Sequence, residues 1–128
     1  MHDSPSTQEL LSAVKGFIDT LAGENLSGHA RFNARVAANV LATVLREIDQ
    51  RPAADQAEAV RLAALLDRTP NDDDLETLNS ELCTLIQSGK IDETTPNLLA
   101  HLKATAIDQL SIDQPRYSGL ATAKDNGT

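Results

Sequence analysis

The sequence contains little of what a disulfide-bonded, zinc-binding or aromatic-rich protein needs. It has one cysteine, no tryptophan and 2% aromatic residues in 128 positions. The single cysteine, Cys83, excludes an internal disulfide and a cysteine-based zinc site, and its apolar helical surroundings predict a buried thiol. With so few aromatic side chains, the core must consist of leucine, valine, isoleucine and alanine, which leave few large anchors for a tight interface.

Basic residues and long apolar runs are also scarce. The chain has 11 basic and 19 acidic residues and a formal net charge of -8. Nonspecific nucleic-acid binders and anionic-membrane binders need a positive surface, so the charge argues against both. No stretch reaches the ~18 apolar residues of a membrane span, and the polar start MHDSPSTQE is unlike a signal peptide. We therefore expect a cytoplasmic protein with neither a nucleic-acid nor a membrane partner.

What the sequence does have is a series of amphipathic helical patterns joined by short links. Ser6 and Glu9 form the capping-box pattern at the start of the first helix, and Gly89 is expected to end the fourth. Pro52 is expected to separate the second helix from the third, and Thr95 with Pro96 to begin the fifth. The five expected helices cover residues 6–22, 29–50, 53–67, 75–88 and 96–113, with a turn at 69–74 before the fourth.

These patterns predict an all-α fold. Short links make consecutive helices antiparallel neighbours, so we expect a compact antiparallel bundle of four to five helices with a long central second helix. Residues 1–115 are expected to form this single domain, and residues 116–128, which are small and polar, a flexible C-terminal tail. On the fifth helix the side chains expected to point inward are Leu98, Leu102, Ala106, Leu110 and Ile112.

The second helix has polar residues within a broad apolar arc and a polar ridge beside that arc. Here the ridge means Arg31, Arg35, Asn39 and Arg46. On the fifth helix, His101 and Asp108 share a face, which places Asp108 opposite Arg35 if the two helices are neighbours. One interpretation is a structural salt-bridge network; the other is a shallow pocket for an anionic ligand. The candidate ligand-binding residues are Arg31, Arg35, Asn39, Arg46, His101 and Asp108.

No local motif for a nucleophile, a phosphate-binding glycine loop or a metal site is recognisable in the sequence. We therefore expect no catalytic residues, no metal and no cofactor. The hypothesis that follows is a non-catalytic accessory or protein-interaction module that docks onto a partner protein or onto a second copy of itself. The alternative is a small-anion binder for a phosphate or CoA-type ligand, or a minor enzyme, that uses the ridge.

Four segments carry a family resemblance: FNARVAANVLATVLRE, LNSELCTLIQSG, LLAHLKATAIDQL and IDQPRY. Together they resemble a family of small bacterial all-helical domains of unknown function, and the resemblance extends from about Ser6 to Tyr117. Members are often encoded beside acyl-CoA dehydrogenases and aminoglycoside-phosphotransferase-like kinases. The resemblance implies an accessory role near acyl-CoA or phosphotransfer metabolism, and it assigns no site residues.

Overall fold

The structure is a computed structural model that describes residues 4–69 and 73–126. Within these residues the chain is all-α, with a long second helix, as the sequence predicts. The helices are α1 (Thr7–Glu24), α2 (Gly28–Leu65), α3 (Leu75–Gln87), α4 (Leu98–Asp113) and α5 (Ser118–Asp125). Residues 70–72 of the turn expected at 69–74 lie outside the described residues.

The chain divides into two compact units, and the boundary lies inside α2. The first unit is Met1–Gln50 and holds α1 with the first part of α2. The second unit is Arg51–Thr128 and holds the rest of α2 with α3, α4 and α5. Each unit has its own packing, so each is described by itself.

Helix α1 begins at the predicted capping box. The backbone N–H of Ser6 donates to Glu9 Oε2 at 2.6 Å, and the N–H of Glu9 donates to Ser6 Oγ at 3.2 Å. These two bonds satisfy amide groups that have no partner within the first turn of a helix. The helix ends at its C-cap, Asn25, whose N–H donates to the carbonyl of Leu21.

Helix α2 joins the second and third predicted helices, so the expectation that Pro52 separates them is wrong. Proline lacks the N–H that would donate to the carbonyl of Ile48, but it leaves the remaining helical hydrogen bonds available. The residues after Pro52 are mostly alanine, glutamine and glutamate, which are strong helix formers. The helix ends only where Asp67 takes a left-handed φ of 55° and Arg68 N–H donates to Ala63 O at 2.7 Å.

The core of the second unit is a leucine cluster shared by three helices. Helix α3 ends as predicted, because Gly89 has φ 74° and the N–H of Lys90 donates to Leu85 O at 3.0 Å. Cys83 on the same helix is exposed, so the predicted burial of its thiol is wrong. The buried cluster consists of Leu62, Leu78, Leu82 and Leu98, with Leu65, Leu66, Leu75 and Ile91 packed against it.

Helix α4 starts later than predicted and presents a different face to the interior. Its N-cap is Asn97, which has φ 69° and makes no side-chain capping bond, in place of the expected Thr95–Pro96 start. The residues it buries are Leu98, His101 and Ile112. Of the residues expected inward, Leu98 and Ile112 are buried and Leu110 is half-buried, whereas Leu102 and Ala106 are exposed.

Residues 118–125, within the segment expected to be a flexible tail, form helix α5 in the structure. Leu120 is buried, and α5 contacts α4. Lys103 Nζ on α4 donates to the carbonyl of Asn126 at 3.3 Å, just beyond the end of α5. A single leucine among small residues holds this helix, and so weak a signal does not show as a periodic pattern in the sequence.

Candidate functional site

In the first unit, α2 carries a row of large apolar side chains that are exposed. They follow one another at intervals of four residues, and Phe32 is 62% exposed. On the side of the helix opposite Phe32, Val36 and Val40, Ala38 is buried, and Ala34, Leu41 and Leu45 are half-buried. A helix that is apolar on opposite sides normally has neighbours on both. This α2 row is Phe32, Val36, Val40, Val44 and Ile48.

Helix α1 adds a second set of exposed apolar side chains, Leu10, Val14 and Phe17. The fully buried residues in the described part of this unit are two alanines, Ala22 and Ala38. The unit therefore buries small side chains and exposes larger ones, the reverse of an ordinary core. Large contiguous apolar patches on a protein surface mark interaction sites.

The four predicted ridge residues all lie on α2 in the first unit. Arg35 and Asn39 are exposed, and Arg31 is half-buried, with its Nε buried and without a hydrogen-bond partner. Arg46 Nη2 donates to Thr43 Oγ1 at 3.1 Å, and Thr43 Oγ1 donates to the carbonyl of Asn39 at 3.2 Å. Part of the ridge is thus an internal hydrogen-bond chain, and a ligand for it stays a prediction.

The other two predicted residues, His101 and Asp108, lie on α4 in the second unit. Asp108 Oδ2 is 3.7 Å from Arg61 Nη2, so the structure gives this carboxylate Arg61 as a counter-ion. The same nitrogen donates to Thr105 Oγ1 at 3.3 Å. That the ridge and the α4 pair act on one ligand stays a prediction.

Arg61 is the site residue that the sequence did not indicate. The large apolar residues of the third predicted helix, Val60, Leu62, Leu65 and Leu66, are scattered around the helix axis, so no single face of it indicates a site. The signal was on α4, where His101, Thr105 and Asp108 recur at intervals of four and three residues. A polar row on a helix face that also carries Leu98 and Ile112 requires a polar partner on another helix. Arg61 supplies that partner for Thr105 and Asp108.

A pocket of about 470 Å³ lies beside this group. His101 is only 2% exposed, and its Nδ1 has no hydrogen-bond partner. Arg61 Nε is also buried without a partner. Such atoms cost free energy when they lose water and gain nothing in return, by about 1–3 kcal/mol each. The residues that line the pocket are Arg61, Ala64, Leu65, Thr95, Pro96, Asn97, Ala100 and His101.

The surroundings of His101 favour a neutral imidazole. Burial lowers the pKa of His101, the positive charge of Arg61 lowers it further, and Glu58 partly opposes both. The ring can therefore donate from one nitrogen and accept at the other.

The folded protein should lose stability in mild acid because of His101. The unfolded chain protonates this imidazole near the ordinary pKa of about 6.5, whereas the folded chain resists protonation. Below that pH the unfolded state therefore binds more protons, and above it His101 makes no pH-dependent contribution. In urea unfolding, wild type should lose stability relative to His101→Gln between about pH 7 and about pH 5. If the difference in the free energy of unfolding between wild type and His101→Gln did not change with pH, the lowered pKa of His101 would be contradicted.

Across the described residues no helix is long and apolar enough to cross a membrane. The same residues hold no group of three or more histidine, cysteine, aspartate or glutamate side chains placed to share a metal ion.

Comparison with curated proteins and with solved structures finds no match. The domain of unknown function DUF6285 matches residues 24–117, which include all of α2, α3 and α4. The match contains both the α2 row and the residues that line the pocket at the start of α4. Because it covers more than half of the sequence, the chain belongs to the DUF6285 family.

Proposed function

We propose that this protein is a non-catalytic interaction module whose α2 row pairs with the α2 row of a second copy. The observation that carries the proposal is the exposure of five large apolar side chains on a helix whose opposite side is already packed. In this arrangement two hairpins of α1 and α2 would together make a four-helix bundle, which buries a core that one hairpin lacks.

The size of the surface suits such a pair. Side chains of this kind bury about 150–250 Å² when aromatic and somewhat less when aliphatic. At the exposures observed, the α2 row presents roughly 400 Å² and the α1 set roughly 300 Å² more. Together they approach the ~800 Å² that each partner contributes to a standard interface.

Four of the five residues of the α2 row are placed symmetrically about Ala38, and so are His29 and Glu47 beyond them. Val36 and Val40 each lie two residues from Ala38. Phe32 and Val44 each lie six residues from it, and His29 and Glu47 each lie nine residues from it. At ~3.6 residues per turn, the two residues of each pair lie at equal angles on either side of the direction that points away from Ala38. If two antiparallel copies of α2 are related by a two-fold axis opposite Ala38, each residue of such a pair meets the other residue of that pair in the second copy, so that Val36 meets Val40 and Phe32 meets Val44.

The ends of the row give this pairing a charge preference. The antiparallel arrangement places His29 of one copy against Glu47 of the other, at both ends of the contact. A parallel pair would instead place the two Glu47 carboxylates against each other, which is unfavourable.

The ridge remains the basis of the alternative function, the binding of a phosphate or CoA-type anion. The observation in its favour is the buried, unpartnered Nε of Arg31. Against it, Arg46 is engaged with Thr43, and Asp49 and Glu47 lie on the same stretch of helix. Self-pairing uses more of the observed surface than anion binding does.

The family resemblance adds a setting to the proposal. On the strength of this resemblance we further propose that the module works in the bacterial cytoplasm as an accessory to acyl-CoA or phosphotransfer enzymes, which would bind the paired module and not a single copy. The single exposed cysteine is compatible with a reducing compartment.

Sedimentation equilibrium of the purified protein tests the self-pairing. The mass should rise from 13.7 kDa toward twice that value as the concentration increases from low micromolar to near millimolar. A protein that remains monomeric over this range would contradict the proposal, even if another protein were found to bind it.

Cysteine cross-linking tests the orientation in a Cys83→Ser background. A mixture of the Phe32→Cys chain with the Val44→Cys chain should form a disulfide under mild oxidation. The Phe32→Cys chain alone should not, because its two copies would be separated by about 18 Å along the helix axis, beyond the ~7 Å limit for a disulfide. Cross-linking of the Phe32→Cys chain alone would indicate parallel pairing.

A further inference from the structure

We propose that the pocket at the start of α4 binds a small organic acid. Its carboxylate would be held by Arg61 and the first turn of α4, and its apolar part would lie against Leu65, Pro96 and Ala100. This inference goes beyond the self-pairing and does not depend on it, since every lining residue belongs to the second unit.

Arg61 is the first reason to expect an anion. Its guanidinium carries five N–H donors in a planar fork that matches a carboxylate. The contacts to Asp108 and Thr105 both involve Nη2, and Nε is buried without a partner. The Asp108 contact, at 3.7 Å, is longer than the ~2.7–2.9 Å of a strong charge-assisted hydrogen bond. Arg61 therefore has donor capacity that its protein neighbours do not use.

The N-terminus of α4 supplies a second source of positive potential on the same pocket. Asn97 takes a left-handed conformation at the N-cap and makes no capping bond with its side chain, so the first turn lacks the usual side-chain acceptor. Asn97 and Ala100, which flank this turn, both line the pocket. The amides of Leu98 and His101 donate to Thr95 O and Asn97 O, so an anion placed there would accept from the amides of Leu99 and Ala100, at the positive end of the helix dipole.

His101 marks the inner wall of the pocket and identifies it as a ligand site. The imidazole is nearly fully buried, and its Nδ1 has no partner in the protein. A purely structural histidine would normally be hydrogen-bonded, because an unsatisfied buried polar atom is costly. A ligand oxygen bound beside Arg61 would give the ring a partner.

The remaining walls set the size and character of the ligand. Half of the lining residues, Ala64, Leu65, Pro96 and Ala100, are apolar, and the larger part of the lining surface is apolar. A volume of about 470 Å³ falls within the range of small-molecule sites. An acid with a short hydrocarbon body fits both the donors and the walls, whereas inorganic phosphate would leave the apolar walls without contact.

Titration of the ¹⁵N-labelled full-length protein followed by NMR tests the site, with acetate, butyrate and hexanoate as probes. Butyramide and inorganic phosphate are the matched controls for charge and for the apolar body. We expect saturable shifts centred on residues 95–101, stronger binding for butyrate than for acetate or phosphate, and no saturable shift with butyramide. Equal binding of phosphate and butyrate, or the absence of saturable shifts up to tens of millimolar, would overturn the proposal.

Arg61→Met keeps the apolar stem and removes the donors, so butyrate should bind at least about 10-fold more weakly. The control is Arg68→Met, which removes an exposed arginine paired with Glu81 outside the pocket and should leave binding unchanged. If Arg61→Met unfolds, Arg61→Met with Asp108→Asn removes the uncompensated carboxylate and serves in its place. Unchanged butyrate binding in the folded Arg61 variant would overturn the assignment.

Discussion

Leu62→Ala should lower the free energy of unfolding by about 2–5 kcal/mol, a large part of the ~5–15 kcal/mol that holds a typical domain together. Leu62 is 0% exposed and lies at the centre of the leucine cluster of the second unit. Its removal loses transfer free energy and leaves a cavity that Leu78, Leu82 and Leu98 can fill only by moving. Urea unfolding followed by circular dichroism would measure the change.

Leu99→Ala is the matched control, because Leu99 is 59% exposed and both substitutions exchange the same residue types in a helix. We expect a change within about 0.5 kcal/mol for this surface position. If the two units unfold in separate transitions, Leu62→Ala should shift only the transition of the second unit, because Leu62 belongs to that unit. Equal effects of the two substitutions would show that the leucine cluster is not the core.

Signals that act over a few residues predicted the local structure well. The capping box at Ser6 and Glu9 and the helix stop at Gly89 both depend on backbone groups within one turn, so the sequence specifies them fully. The helix end predicted at Pro52 was wrong because the effect of a proline depends on whether the residues after it favour a helix. The alanine-rich segment after it does, and the missing bond at Ile48 is a local loss that the helix tolerates.

Longer-range contacts explain why the candidate site was only partly predictable. Leu102 and Ala106 were expected inward on hydropathy alone, yet α4 buries His101 and partly buries Asp108. The charged partner of Asp108 is Arg61, which also lines the pocket beside His101 and lies on another helix, more than 40 positions earlier in the sequence. A periodic pattern shows which residues share a face but not whether a polar face has a partner, so Arg61 could only be found in three dimensions.

The apolar arc of the second helix was visible in the sequence, but its meaning was not. Hydropathy predicts that such a helix is central, because apolar side chains on opposite faces normally mean burial on both. In the structure one of these faces is packed and the other is exposed. The neighbour expected for the exposed face is therefore another molecule and not another part of this chain. The same residues thus change from evidence for a core to evidence for an interface.

Val40→Glu should therefore weaken self-association by at least about 100-fold, which corresponds to ~2.7 kcal/mol. Val40 is 57% exposed and lies two residues from the centre of the proposed contact. In the antiparallel pair each new carboxylate would be buried against Val36 of the other copy, with no cation opposite it. Both the lost apolar contact and the unpaired charge oppose association. Sedimentation equilibrium of the variant and of wild type at matched concentrations would give the two dissociation constants.

Val60→Glu is the control, since Val60 is 48% exposed on the same helix but lies in the second unit, outside the α2 row. It adds the same charge to the same secondary structure and should leave the dissociation constant within about threefold of wild type, because an isolated surface substitution rarely changes more than ~0.5 kcal/mol. Circular dichroism separates loss of pairing from loss of fold: Val40→Glu should keep the helical signal of the wild-type monomer. Equal dissociation constants for Val40→Glu and wild type would place the contact between copies elsewhere, because a charge at the centre of a self-paired apolar row cannot be accommodated without loss of affinity.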